Sequence, residues 1–534
     1  MTKKLLAILF AALMIVTCMA GCSTTEEVWV SYEDGDTDST KADRTKKTQA
    51  EDETADTTVK TRGGKKGDGL KFEPIADPSA NYNVKGKVSI AVDTVRPTDY
   101  DAMFDVMQKL YPNIEFSFDM WAHNTHDDGR EYLIKKMKTH TPANIMWDEA
   151  GELPTYLRQG WIYPITKFVE KDSEYKYVPA NLKSDYTFCG EVYAVPHQAT
   201  FETVTFNMDL LNKTGMKLPS LEWSMADYEK YLKAGAELFN KDQGVGVQDL
   251  FEAYNRVCFY ETSKKSGSYG ARAYNWSTNQ MEVDPLITGA LKFRYWREMA
   301  SGTEAWQAAQ EKNSEGQSNL QAKLGISSYS TAWKAGKALM EDDLNVYADK
   351  YSKQVKFKWQ MWTSPNYKGK MMMHVDHCFI TSPTPDDQIE ACYQALRFMT
   401  FSTNGNLARL EMYEDANKGK YTLNSVVYFP TTTNQSVLTK FSNLKCTTEV
   451  HEYYLKNIKN CGRYDTFKLV PELRDLTSKH LNEKLNDITD GLDKSGEFLR
   501  EPAANFNKDM KTAWSNFEKE LKDVQKKFNA SHKR

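Results

Sequence analysis

One stretch, residues 190–239, constrains the fold more than any other. It reads Gly190-Glu191-Val192-Tyr193-Ala194-Val195-Pro196, passes through the polar His197, Gln198 and Thr200, and resumes as Thr203-Val204-Thr205-Phe206-Asn207-Met208-Asp209-Leu210-Leu211. Val204 and Phe206 share one face because strand side chains alternate. A short apolar strand that meets a proline, crosses polar residues and then alternates suits a connection between two lobes. Gly215, Pro219 and Trp223 lead into a helix. Ser224 is expected to cap it, Asp227 to reciprocate from the third helical position, and Trp223 to pack on Tyr228 as a hydrophobic staple.

The chain has 534 residues, 40% hydrophobic and 12% aromatic, long enough for several domains and a sizeable core. Its 69 Lys plus Arg nearly balance 73 Asp plus Glu, which gives no electrostatic case for nucleic acid or an anionic membrane surface. At the N-terminus, Lys3 and Lys4, the apolar run Leu5 to Val16, and Met19-Ala20-Gly21-Cys22 follow the order of an export signal. The run is too short to favour a permanent span. Small residues directly before Cys22 resemble a bacterial lipobox, which implies cleavage after residue 21 and diacylation of Cys22. Residues 22–84 are rich in Thr, Asp, Glu, Lys and Gly and poor in apolar side chains, so a disordered tether is expected there. The six cysteines beyond the export segment have no C-x-x-C or metal-finger spacing, and Cys446 with Cys461 could close a local loop.

The folded part opens with Val88, Ile90 and Val92 in alternation, a helix carrying Met103, Phe104, Met107 and Leu110 on one face, and Ile114, Phe116 and Phe118 alternating again. That order implies a right-handed parallel βαβ unit. A second helix leads to Ala143-Asn144-Ile145-Met146-Trp147-Asp148, another strand end, and Leu153, Tyr156 and Leu157 precede the stop at Gly160. Tyr329, Trp333, Gly336, Leu339 and Met340 read as a helix, and Val355, Phe357, Trp359 and Met361 as a half-buried strand. Met371 to Ile380 is expected to return to the first lobe, and Asp386 to Phe401 to form a helix.

In order along the chain, Gly190 to Pro196, Phe206-Asn207-Met208-Asp209-Leu210-Leu211, Gly336-Lys337-Ala338-Leu339-Met340 and Tyr428-Phe429-Pro430 resemble motifs of the extracellular solute-binding proteins of ABC importers, in their sugar-binding, maltose-binding-protein-like branch. The resemblance implies an α/β fold of two lobes, the type II periplasmic-binding-protein architecture, with hinge strands and a ligand cleft between the lobes. Residues 85–202 plus 376–430 are expected to form lobe 1, and residues 203–375 plus 431–534 lobe 2. It also implies carbohydrate capture, an oligosaccharide by expectation, for a membrane importer whose permease subunits would be partners. The expected protein is a monomer at the outer face of the cell membrane, tethered by lipid, with no cofactor.

Open α/β sheets hold ligands at the carboxyl ends of their strands. That criterion selects Asp93 and Arg96, Trp121, then Trp147, Asp148 and Glu149 in lobe 1, with Trp276, Trp333 and Trp362 from lobe 2 and Asp376 from the returning strand. Pyranose C–H faces pack on aromatic rings while carboxylates and arginine meet the hydroxyls. Each tryptophan has core as its competing role. His123 with His126, and His374 with His377 around Asp376, offer zinc-type ligands, but neither pair has the i, i+4 spacing of one helix face, so no metal is expected. Asp148, Glu149 and Glu152 could be paired carboxylates of a glycoside-active enzyme, yet such acids are common at helix starts. No G-x-S-x-G, P-loop or G-x-G-x-x-G motif occurs, and a binding protein rather than an enzyme is expected. A peptide or other non-sugar ligand, or an interaction-only surface lipoprotein, are the alternatives.

Overall fold

A computed structural model describes residues 70–93, 97–121, 128–148, 153–265, 269–299, 301–344, 354–417, 429–463 and 470–532, all within one compact unit. The export signal, Cys22 and the first His pair lie outside these residues. Alternation builds the first strands as expected. β1 (Gly86–Asp93) runs parallel to β2 (Ile114–Trp121), connected through α1 (Pro97–Leu110), which buries Met103, Phe104 and Met107. Phe104 and Phe118 meet at 4.1 Å between ring centres. After α2 (Asp128–Lys138), β3 (Ile145–Asp148) adds parallel to β1, and α3 (Leu153–Arg158) ends before Gly160, whose φ of 68° only glycine adopts readily.

Within residues 190–239, Val195–Asn207 form one continuous strand, β4, buried at all 13 positions. Pro196 sits at its beginning, where one missing N–H is tolerated. Its polar residues are part of the ladder rather than a break in it. α4 (Met225–Asn240) follows with the full Ser224/Asp227 capping box, and Trp223 lies 6.1 Å from Tyr228. β5 (Val245–Val247) and α5 (Phe251–Ser263) come next. α4 meets β5 backbone to backbone: a Cβ on Gly235 would stand 2.1 Å from the Gly246 Cα.

α6 (Val283–Met299), β6 (Ala338–Leu344), β7 (Trp359–Thr363), β8 (Met372–Ile380), α7 (Ile389–Met399) and α8 (Thr403–Asn417) complete the middle of the chain. The helix expected through Met340 is corrected here. Gly336 (φ 69°) turns the chain, and Ala338 onward is drawn into the sheet between β4 and β5. The strand expected from Val355 begins only at Trp359, where pairing with Asn207 becomes available.

The sheet order is β2-β1-β3-β8-β4-β6-β5, with β7 also on β4 and a two-residue strand at Gly462–Arg463 on β8. β4 joins its two halves. Val195 to Phe201 pairs with β8, whereas Glu202 to Phe206 pairs with β6 and Thr203 to Asn207 with β7. The partner change falls at Glu202.

Two expectations about the ends change. Residues 70–84, assigned to the tether, are packed: Leu70 is buried, the Asn404 side chain bonds both the N–H and the carbonyl of Ile75 at 2.9 Å, and Asp77 pairs with Arg397. Composition hid this because polar groups hold the segment. The last helix, α9 (Arg500–Ser531), spans about 48 Å at the usual rise. Its start bonds Met281 through Asn507, but its end lies on elements expected in lobe 1, with Glu520 on Arg158, Phe517 on Phe188 and Phe528 on Tyr163. Cys446 and Cys461 form no disulfide, and Cys461 Sγ lies 3.4 Å from the Asn457 carbonyl. Among the described residues no helix is long and apolar enough to cross a membrane.

Candidate functional site

The crossing strands carry a two-sided pattern. In register, Gln198 faces Asp376 and Thr200 faces His374, so alternation puts Gln198, Thr200, Glu202, His374 and Asp376 on one side. Contacts agree: Gln198 Nε2 donates to Asp376 at 2.8 Å, and His374 Nε2 lies 3.6 Å from Glu202 Oε1. The other side is apolar. There Phe201 packs on Phe429 (4.8 Å) and Tyr454 (4.3 Å). In the second half the same parity carries Val204 and Phe206, with Phe206 against Tyr231 of α4 (5.1 Å) and Asp342 of β6 opposite Val204.

Glu202 is anchored from the second half. Arg256 on α5 donates through Nε to Glu202 Oε2 at 2.8 Å and through Nη2 to the Thr203 carbonyl at 3.3 Å, and pairs through Nη1 with Asp342 of β6 at 2.5 Å. Tyr228 donates to Asp342 at 2.7 Å, and Tyr454 donates to the Glu202 carbonyl. The Arg256 and Asp342 side chains are each 3% exposed, whereas His374 keeps 18%. Burial pushes the Glu202 carboxyl up, but Arg256 and then His374 outweigh it and hold it below its ordinary range. Burial opposes the charged guanidinium, and Asp342 and Glu202 overcome that, keeping Arg256 well above its ordinary value.

The residues expected from the sequence divide into three groups. Trp121 and Trp147 do meet, at 6.5 Å, and Trp147 also touches His197 of β4 at 5.9 Å. Both are core side chains, 5% and 1% exposed, so neither offers a ring face to a ligand in this conformation. Trp333 is likewise core, edge-on to Phe357 at 5.0 Å, and Trp362 is buried with its Nε1 directed to the Ser220 carbonyl at 3.4 Å. Trp276 is half-buried against Tyr274 (4.5 Å), in a short hairpin packed on α9. Asp376 lies on the polar face. Arg96, Glu149 and the Asp93 and Asp148 side chains lie outside the described residues, although the Asp148 backbone pairs beside His377.

Gln198, Thr200, Glu202 and Arg256 are residues of this face and its anchor that sequence reasoning did not select as ligand contacts, and His374 entered only through the metal question. The parity of Gln198, Thr200 and Glu202 against Val204 and Phe206 was the available signal. The second His pair diverges: three residues apart on one strand, the two point to opposite faces, and His377 lies towards Tyr186 (5.4 Å), away from Glu202.

A mixed sheet whose halves share crossing strands, with a polar face at the crossing, is the two-lobed fold of the solute-binding proteins. The comparisons agree. An ABC substrate-binding protein of Listeria monocytogenes, solved with cycloalternan, is 15% identical with a TM-score of 0.56, covering 80% of this chain and 99% of that one. The GacH receptor of Streptomyces glaucescens, solved unliganded and with acarbose, is 14% identical (TM-score 0.52; 83% and 100% covered). A cyclic alpha-maltosyl-1,6-maltose binding protein of Arthrobacter globiformis is 11% identical (TM-score 0.56; 80% and 99% covered). No protein-family model and no curated protein matches the sequence. At these identities the likeness is one of fold.

Proposed function

We propose that this chain captures a carbohydrate, an oligosaccharide by preference, and hands it to the permease subunits of an ABC importer, held at the outer membrane face by a lipid on Cys22. The observation that carries the reading is the polar face at the crossing of β4 and β8, in a fold whose solved examples include proteins bound to cycloalternan, acarbose and maltose. His374 and Asp376, both partly exposed, offer polar groups suited to hydroxyls, with Gln198 and Thr200 buried beside them and Gln198 bonded to Asp376. Asp93, Arg96, Asp148 and Glu149 are further ligand residues proposed from the sequence pattern alone, with Trp276 as an aromatic contributor from lobe 2. Binding rather than catalysis is the role.

The test is a thermal-shift screen with cycloalternan, acarbose, maltose, short peptides and divalent cations, because a ligand specific to the folded state raises its apparent stability. A sugar-specific shift is expected. A shift with peptides alone would replace carbohydrate by peptide, and scattering at saturating ligand should show a smaller radius of gyration if the lobes close. Cys22→Ala is expected to move the protein out of the detergent phase.

A further inference from the structure

We propose that His374 contacts the captured ligand directly and that Arg256 is the positioning residue that holds it there, through Glu202, from the other half of the sheet. This rests on the capture reading above. Glu202 has two oxygens with two duties. Oε2 is bound by Arg256 at 2.8 Å, and Oε1 lies 3.6 Å from His374 Nε2. Arg256 is fixed in turn by Asp342, which Tyr228 holds at 2.7 Å. Of the chain Asp342, Arg256, Glu202, His374, the first three side chains are at most 5% exposed and the last is 18% exposed. The network is thus sealed at its base and open at the imidazole.

Charge supports the same assignment. Burial raises the Asp342 carboxyl, whereas Glu202 is held below its ordinary range, and His374 is the group on the open side of Glu202, 3.6 Å from its Oε1. Among the described residues, the charged and titratable groups that bear on His374 include Glu202 from β4, Arg256 from α5, Asp342 from β6, and Asp376 two residues along its own strand, itself bonded by Gln198. The His374 imidazole beside the Asp376 carboxylate presents a donor and an acceptor to a hydroxyl-bearing ligand. Glu202 is also the residue at which β4 changes partners, so the imidazole is held across the junction where the halves would move.

The relay is testable without ligand. Imidazole titration of the full chain by NMR, with the His374 signal identified by its loss in His374→Gln, should give a midpoint above the ordinary histidine value and lower by about one pH unit in Glu202→Gln. A wild-type midpoint at or below the ordinary value overturns the relay, even if Glu202→Gln fails to fold. The contact is tested by carbethoxylation of His374, read by peptide mass spectrometry, with cycloalternan, acarbose or maltose as probe. Roughly tenfold protection by a sugar that raises the melting temperature is expected, and His374→Gln should flatten the pH dependence of that sugar's affinity between pH 6 and 8. A melting shift without protection overturns the contact and leaves capture standing. Neither shift nor protection overturns both.

Discussion

Arg397 and Arg256 are both buried among acids, yet their surroundings differ. Arg397, on α7, bonds Asp172 at 2.6 Å and Asp77 at 2.7 Å and reaches Glu174 at 3.3 Å; Tyr393 donates to Asp172, and the Thr403 N–H at the start of α8 donates to Glu174. The guanidinium and both aspartates are at most 1% exposed. Every group serves to fasten residues 70–84 and the loop around Asp172 to the helices. The Arg256 network has similar chemistry but ends at the half-buried His374 on the crossing strands. Burial of a charged network alone therefore does not mark a site. The Arg256 network differs in reaching the partly exposed His374 where the two halves of the sheet join.

Breaking the sealed network should have the largest effect. Arg397→Ala leaves three acids without their cation, and the expected loss is about 5 kcal/mol, the upper end for such a deletion. Urea unfolding measures it. Sugar affinity of the remaining folded fraction should be unchanged, and a large affinity loss would erase the distinction between the two arginines.

Trp147→Ala comes next, at about 3–4 kcal/mol, because a ring packed between Trp121 and His197 leaves a cavity. The expected signature is a lower melting temperature with sugar affinity kept. Loss of affinity at unchanged stability would return Trp147 to the ligand set. Arg256→Lys should cost less, about 2 kcal/mol, since it keeps the charge but loses the fork that reaches Glu202, Thr203 and Asp342 together. Unlike the first two, it should also weaken sugar binding, through His374. Calorimetry beside a melting curve separates these outcomes.

The sequence showed the βαβ start, the helix cap at Ser224 and the role of Val195 to Phe206 as a crossing strand, because periodicity and capping are local signals. It misplaced Ala338 to Met340, where strand partners from distant residues overrode a helical pattern. Tryptophans at strand ends looked like stacking platforms; burial depends on neighbours such as His197 and Phe357 that spacing does not reveal. Asp376 was expected on the returning strand Met371 to Ile380, and it lies within β8 there. Arg256 was not, since nothing in the α5 sequence shows that Glu202 and Asp342 converge on it.

The smallest effect concerns a carboxylate whose cation lies partly in water, intermediate between the two networks. Glu304 is fully buried, accepts the Leu250 N–H at 2.9 Å and pairs with Arg297, which keeps 28% exposure between the rings of Phe293 and Trp306. Burial, reinforced by Asp249, pushes its carboxyl up to about 7 against the pull of Arg297. A folded value raised above the unfolded one means that Glu304 favours folding most below pH ~4.5, and that this contribution is lost as pH rises through about 7. His451 runs the other way: burial lowers it to about 4, so its contribution is present above pH ~6.5 and lost as pH falls through about 4. Between pH ~4.5 and 6.5 the two oppose each other, and wild-type stability should vary little on their account. Glu304→Gln removes one side. Urea unfolding at pH 4.5, 5.5, 6.5 and 7.5 should therefore show the variant gaining on wild type as pH rises, by on the order of 1–2 kcal/mol across the series. Parallel curves would mean that Arg297 keeps Glu304 ionised throughout, and that a partly solvated arginine neutralises a buried acid as fully as Arg397 does.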